Sequence, residues 1–155
     1  MTDYPPRLFR DYAAIRHLGE GLLACRLARD EWTHEAHLAA TCWLVRERPD
    51  IDAERELPGL IRRFNESVGG VNDDTQGYHE TITQAFLRSV RLHLAECDPG
   101  MPLVDCVNAL LASTRGRRDW PLRFYSRERL FSAQARQTFV TPDLAALPLL
   151  APLPD

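Results

Sequence analysis

Five histidines, His17, His34, His37, His79 and His93, are the residues of this chain whose type and spacing could do chemistry. His34 and His37 stand three apart, which puts both rings on one face of a helix. His79 opens a later helical stretch. Three imidazoles from two helices would resemble the shell of a catalytic metal site, with a fourth position left for water or substrate. Such a shell suits a divalent transition metal, and the ligand type does not choose among Zn, Fe, Ni and Cu. Two carboxylates could join it. Glu80 follows His79 directly and reads as a fourth ligand or general base, or as a capping-box residue reaching back to the amide of Gly77. Glu31 precedes His34 by three and reads as a ligand-face acid, or as a first-turn acid complementing the helix dipole. His34-Glu-Ala-His37 is one residue short of the H-E-x-x-H protease motif, so it supports no protease.

The elements that must bring these residues together are helices. Apolar seams recur at helical spacing, and no sustained strand alternation or Asn-Gly hairpin signal competes with them. The pattern predicts an all-α single bundle of five to six helices over 1–155. Expected spans are about Phe9 to Ala28, from after Asp30 to Arg48, a third helix ending at Gly69-Gly70, Tyr78 to Cys97, Pro102 to Ser113 and Ser126 to Thr138. Ala36 to Val45 is apolar on almost every side and predicts a central, enclosed helix. Pro58 reads as a first-turn proline, or as a kink in a third helix that begins after Asp50. If helices two, three and four run up, down, up, helices two and four start at the same end, and His34, His37 and His79 converge there. Asn65 and the loop residues Asn72, Asp73, Asp74 and Thr75 then belong to that end. His93 lies ~21 Å along the axis from His79 and reads as structural. His17 reads likewise. The Pro/Leu-rich tail, Pro142 to Asp155, carries too much apolar surface for a solvated linker. It predicts packing on the body or on a second copy, which would make a homodimer.

Composition removes other chemistries. The 155 residues carry a net charge of −3, and all 19 cations are Arg. A chain without lysine has no Schiff-base or pyridoxal-phosphate lysine and no P-loop lysine. No global basic field points to nucleic acid or to a membrane surface. The Arg-rich 115–129 stretch reads as a solvated face or an anion clamp. No apolar run is long enough for a membrane span and no signal peptide is visible, so a cytoplasmic protein is expected. The four cysteines form no C-x-x-C pair and read as reduced packing residues.

Glu31-Trp-Thr-His-Glu-Ala-His-Leu38, Gly77-Tyr-His-Glu-Thr-Ile-Thr83 and Tyr125-Ser-Arg-Glu-Arg-Leu-Phe-Ser132 resemble a family of small bacterial all-α proteins of uncharacterised function. The resemblance runs from about Ala28 to Leu147 and implies no activity. A looser likeness, by ligand type and architecture alone, is to DinB-type helical-bundle metalloproteins. The expected function is therefore a small metal-dependent enzyme acting on a small-molecule substrate through His34, His37 and His79. The alternatives are a metal-free acid/base enzyme using a histidine with Glu80, and a non-catalytic helical domain that binds a partner through its tail.

Overall fold

The computed structural model describes residues 5–149, and among them the only regular elements are helices. Seven α-helices follow in order: α1 (Tyr12–Ala24), α2 (His34–Glu47), α3 (Ala53–Ser67), α4 (Glu80–Glu96), α5 (Leu103–Ala112), α6 (Arg127–Leu130) and α7 (Ala133–Gln137). Short 3-10 turns lie at Arg29–Glu31, Thr114–Gly116 and Trp120–Arg123. The expected all-α bundle is present. The count exceeds six because the last stretch is two helices: Ser126 and Ser132 each accept a backbone N–H three residues on, and each starts its own short helix.

α2 is the central helix. Ala36 and every residue from Leu38 to Leu44 are buried, as its unbroken apolar run requires. It starts later than the sequence suggested. The Asp30 region forms a 3-10 turn, and Thr33 is the N-cap, accepting from the Ala36 amide. α1 packs on α2 closely enough that a Cβ at Gly19 would stand 2.2 Å from the Trp43 ring. α3 begins after the N-cap Asp52, so Pro58 lies inside it rather than in its first turn. Proline cannot donate to the Glu54 carbonyl, and Gln84 Nε2 of α4 approaches that oxygen at 3.5 Å.

The direction of the helices follows from their end contacts. Glu54, at the start of α3, pairs bidentately with Arg91, late in α4, at 2.7 and 2.8 Å. Tyr78 and His79, just before α4, lie with Phe64 and Asn65 near the end of α3. α3 and α4 are therefore antiparallel. His37 and Trp32 at the start of α2 line the same cleft, so the up-down-up arrangement holds.

α4 also holds the C-terminal third through buried hydroxyls. Thr81 Oγ1 donates to Thr138 O and accepts from Val140 N, and Ser89 Oγ donates to Arg115 O. Part of the tail lies on the body. Leu144 N donates to Phe124 O, Arg88 Nη1 donates to Pro148 O at 2.8 Å, and Leu147 joins the core. Leu144 and Leu149 stay exposed. Residues 150–155 lie outside the described part, so the expectation for Leu150 and Leu153 is not addressed. No described helix is long and apolar enough to cross a membrane.

Candidate functional site

The expected histidine end exists, but its rings do different work. His79 is the N-cap of α4: its Nδ1 accepts the Ile82 amide at 3.1 Å, as an Asn or Asp oxygen does at other helix starts. Its Nε2 lies 2.8 Å from Leu130 O and donates to it. Both nitrogens are thereby committed, in the tautomer with the proton on Nε2. Burial pushes the ring's pKa down, against the pull of the Leu130 carbonyl. A capping histidine with two protein partners has no lone pair left for a metal.

His34 is the first residue of α2 and turns the other way, toward the C-terminal third. Its Nε2 donates to Gly116 O at 2.8 Å, and its ring meets Phe86 edge-on with centroids 5.2 Å apart. Burial lowers its pKa, partly offset by that carbonyl. Gly116 admits no side chain, because a Cβ there would stand 2.2 Å from Leu110 O. His37, one turn later, faces Trp32 instead, at a centroid distance of 5.3 Å. The reason is local. With Thr33 as N-cap, Trp32 is the N′ residue and His37 the N4 residue, the two positions that close a hydrophobic staple. Trp32 continues to Phe64 of α3 at 5.3 Å, so one aromatic wall joins the starts of α2 and the end of α3.

The three-histidine metal shell is therefore not assembled. Among the described residues no group of three His, Cys, Asp or Glu side chains is placed to hold a metal ion. The physical reason is that the carbonyls of Leu130 and Gly116 already engage His79 and His34. Neither carboxylate candidate joins a shell. Glu31 sits on the surface, with Oε1 2.8 Å from His17 Nε2 and Oε2 accepting the Ala28 amide; that amide, then His17, lowers its pKa. Glu80 is not a capping-box residue, since it is the first residue of α4 rather than its third. Its Oε2 accepts the Tyr78 hydroxyl at 2.6 Å and its Oε1 accepts Gln84 Nε2 at 2.8 Å. Burial and this carboxylate push the Tyr78 phenol far up, so it remains a donor. The Arg62 guanidinium lies 4.5 Å over the Tyr78 ring.

What the histidine end does contain is a cleft of about 250 Å³. Its apolar walls are Trp32, Ile61, Phe64 and Ile82, and its polar points are His37, Asn65, Tyr78, His79 and Thr83. Asn65 and Tyr78 were legible as residues of this end; Trp32 and Thr83 were not. Asn65 Nδ2 is engaged by Asn72 Oδ1 at 2.9 Å. His37 differs from every other polar group here. Its Nε2 is shut from solvent and is the only buried side-chain nitrogen or oxygen among the described residues without a partner. Burial brings the pKa of the ring down to about 4, with the nearby His34 adding a smaller push. The ring is neutral at pH 7. A second cleft, of about 210 Å³, lies next to the first across Tyr78 and is polar, with Arg62, Asp73, Asp74 and Arg136 in its walls. Its carboxylates are already satisfied: Asp73 accepts from Thr75 and Gln76, and Asp74 from Gln137.

Fold and site together define an all-α bundle with a small, mostly apolar cleft at one end and a neutral imidazole in its wall. No family model matches the chain, and neither does any curated protein or solved structure. The resemblance to the small bacterial family rests on the motifs quoted above alone, and the likeness to DinB-type bundles on ligand type and architecture alone.

Proposed function

We propose that the protein binds a small, largely apolar molecule in the cleft between the starts of α2 and α4 and the end of α3, and that His37 is the group that reads it. The observation that carries this is the buried, unpartnered Nε2 of His37, a residue that lines that cleft. A buried polar atom without a partner costs about 1–3 kcal/mol, and native chains seldom tolerate it without a role. An occupant with one hydrogen-bonding group would remove that cost. A half-turn of the ring about Cβ–Cγ exchanges Nε2 with Cε1, so the nitrogen can be offered from either edge of the ring.

The chemistry available is recognition more than strong base catalysis. An imidazole held at about 4 is a weak base at neutral pH, while a general base works best near the operating pH. Tyr78 supplies a protonated phenol in the same wall, and Glu80 acts on it as a positioning residue by accepting its hydrogen bond. The acid/base reading thus narrows to His37 and Tyr78, with Glu80 behind them. A metal reading would need His34 to turn from Gly116 and surrender that bond, and His79 to surrender its Ile82 bond, its Leu130 bond or both.

Titration with phenol, indole and cyclohexanol, followed by two-dimensional NMR, tests the proposal. The expected result is saturable binding, with shifts confined to Trp32, His37, Phe64 and Ile82. The His37→Phe variant should bind about tenfold more weakly, the equivalent of one hydrogen bond of ~1.4 kcal/mol. Binding that is equally tight in the variant overturns the role of His37, and absence of any saturable binding overturns the cleft reading. Added Zn²⁺ serves as the comparison: tight one-to-one binding that His79→Asn abolishes would restore the three-histidine centre.

A further inference from the structure

The opposite end of the bundle holds a second group of reactive side chains that the cleft does not use. There α2 ends, α4 ends and α5 begins. Cys97 is the C-cap residue of α4 and is partly exposed. Cys106, in the first turns of α5, is buried. His93, one turn before Cys97, joins them: its Nε2 lies 2.7 Å from Cys106 O and 3.5 Å from Cys97 Sγ. The His93 ring thus links the two cysteines, lying against the Cys97 thiol and the Cys106 carbonyl. Arg46 closes the group from α2, donating from Nη1 to Cys106 Sγ at 3.0 Å and from Nη2 to Pro99 O and Met101 O.

We propose that Cys97 and Cys106 are an oxidisable dithiol, which closes to an intramolecular disulfide by exchange with a small-molecule disulfide such as oxidised glutathione. The roles follow from exposure and charge. Cys97 can be reached from solvent, so it attacks one sulfur of the reagent. Its proton goes to solvent, a mixed disulfide forms on Cys97, and one reduced thiol leaves. Cys106 is buried and cannot be reached by the reagent, but it lies beside Cys97 across the His93 ring. It then loses its proton and attacks the Cys97 sulfur, expelling the second reduced thiol. Two protein thiols are oxidised and one small disulfide is reduced to two thiols. The Arg46 guanidinium lies against the sulfur that attacks in the second step, with Nη1 at 3.0 Å. Burial, and next the Cys106 thiol, hold Cys97 up at about 11, so the first attack is slow at neutral pH and the pair answers to sustained exposure. Cys42 also lies near but is fully enclosed in α2, and burial pushes its thiol up further. It is not the partner.

The experiment is incubation of the full chain with oxidised glutathione at pH 8, followed by alkylation and mass spectrometry. The expected product has lost two hydrogens, carries an alkyl group on Cys25 in the folded state and on Cys42 only after unfolding, and yields one linked peptide pair, Cys97 with Cys106. Dithiothreitol reverses it. Cys106→Ser should instead stop at the mixed disulfide, gaining one glutathionyl group on Cys97, and Cys42→Ser should behave as wild type. The proposal is overturned if wild type retains four alkylatable thiols, if the mixed disulfide on Cys97 persists without resolution, or if the linked pair involves Cys25 or Cys42. The wild-type peptide map decides the matter even where the Cys106→Ser variant fails to fold.

Discussion

Between pH 7 and pH 4 the wild-type protein is expected to lose about 3 kcal/mol more stability than its His37→Phe variant. The sign follows from the direction of the shift. The ring titrates near 6.5 when unfolded and near 4 when folded. The unfolded chain therefore binds the proton first, and protonation pulls the equilibrium toward unfolding. Stability is complete above pH 6.5, declines as pH falls through the window from 6.5 to 4, and below 4 has nothing more to lose from this residue. Phenylalanine does not titrate, and its neighbours Trp32 and the Phe64 wall are already aromatic. Carboxylates whose pKa the fold lowers, such as Glu31 and Glu54, cost stability on acidification in both proteins alike, so the difference between them isolates His37. At pH 7 the variant should be as stable as wild type or slightly more so, since it lacks the unsatisfied nitrogen. Urea unfolding at pH 7, 5.5 and 4 measures this. Parallel decline of the two proteins would show that the ring is not held neutral by the fold.

His79→Ala is expected to lose about 2–4 kcal/mol, combining a helix cap worth about 1 kcal/mol with a buried carbonyl left unpaired at about 1–3 kcal/mol. The residue ties the start of α4 to the end of α6 through Leu130 O, over 51 positions of sequence. His79→Asn separates the two contributions. Asparagine caps helices well but is too short to reach Leu130, so it should recover the capping part alone. Urea denaturation of the three proteins at pH 7 gives the comparison. A loss under 0.5 kcal/mol in His79→Ala would contradict a structural role and reopen His79 as a ligand.

The helices were legible because their apolar positions repeat at helical spacing, and α2 was legible as the central one because its apolar run leaves no polar face. The convergence of His37 with the His79 segment was legible too, since three helices joined by short loops leave two of them parallel. The fate of the rings was not. Whether an imidazole binds a metal or donates to a carbonyl depends on residues far off in sequence. Gly116 lies 82 positions from His34, and no local pattern announces that its carbonyl comes within 2.8 Å of that ring. The capping box at Glu80 failed for a related reason. Glycine at position 77 adopts a positive φ of 82° and turns the chain early, which leaves His79, not Gly77, as the cap. The break between α6 and α7 had a local signal: the serines at 126 and 132, six apart, each start a helix.

The most direct measurement of the central claim is the position of an occupant in the cleft. Crystals of the protein soaked with phenol should show the ring against Trp32, Phe64 and Ile82, with its hydroxyl within ~3 Å of a nitrogen of His37. Phenol bound in the polar cleft beside Arg62 and Arg136, or a ring in the apolar cleft with its hydroxyl turned away from His37, would contradict the account.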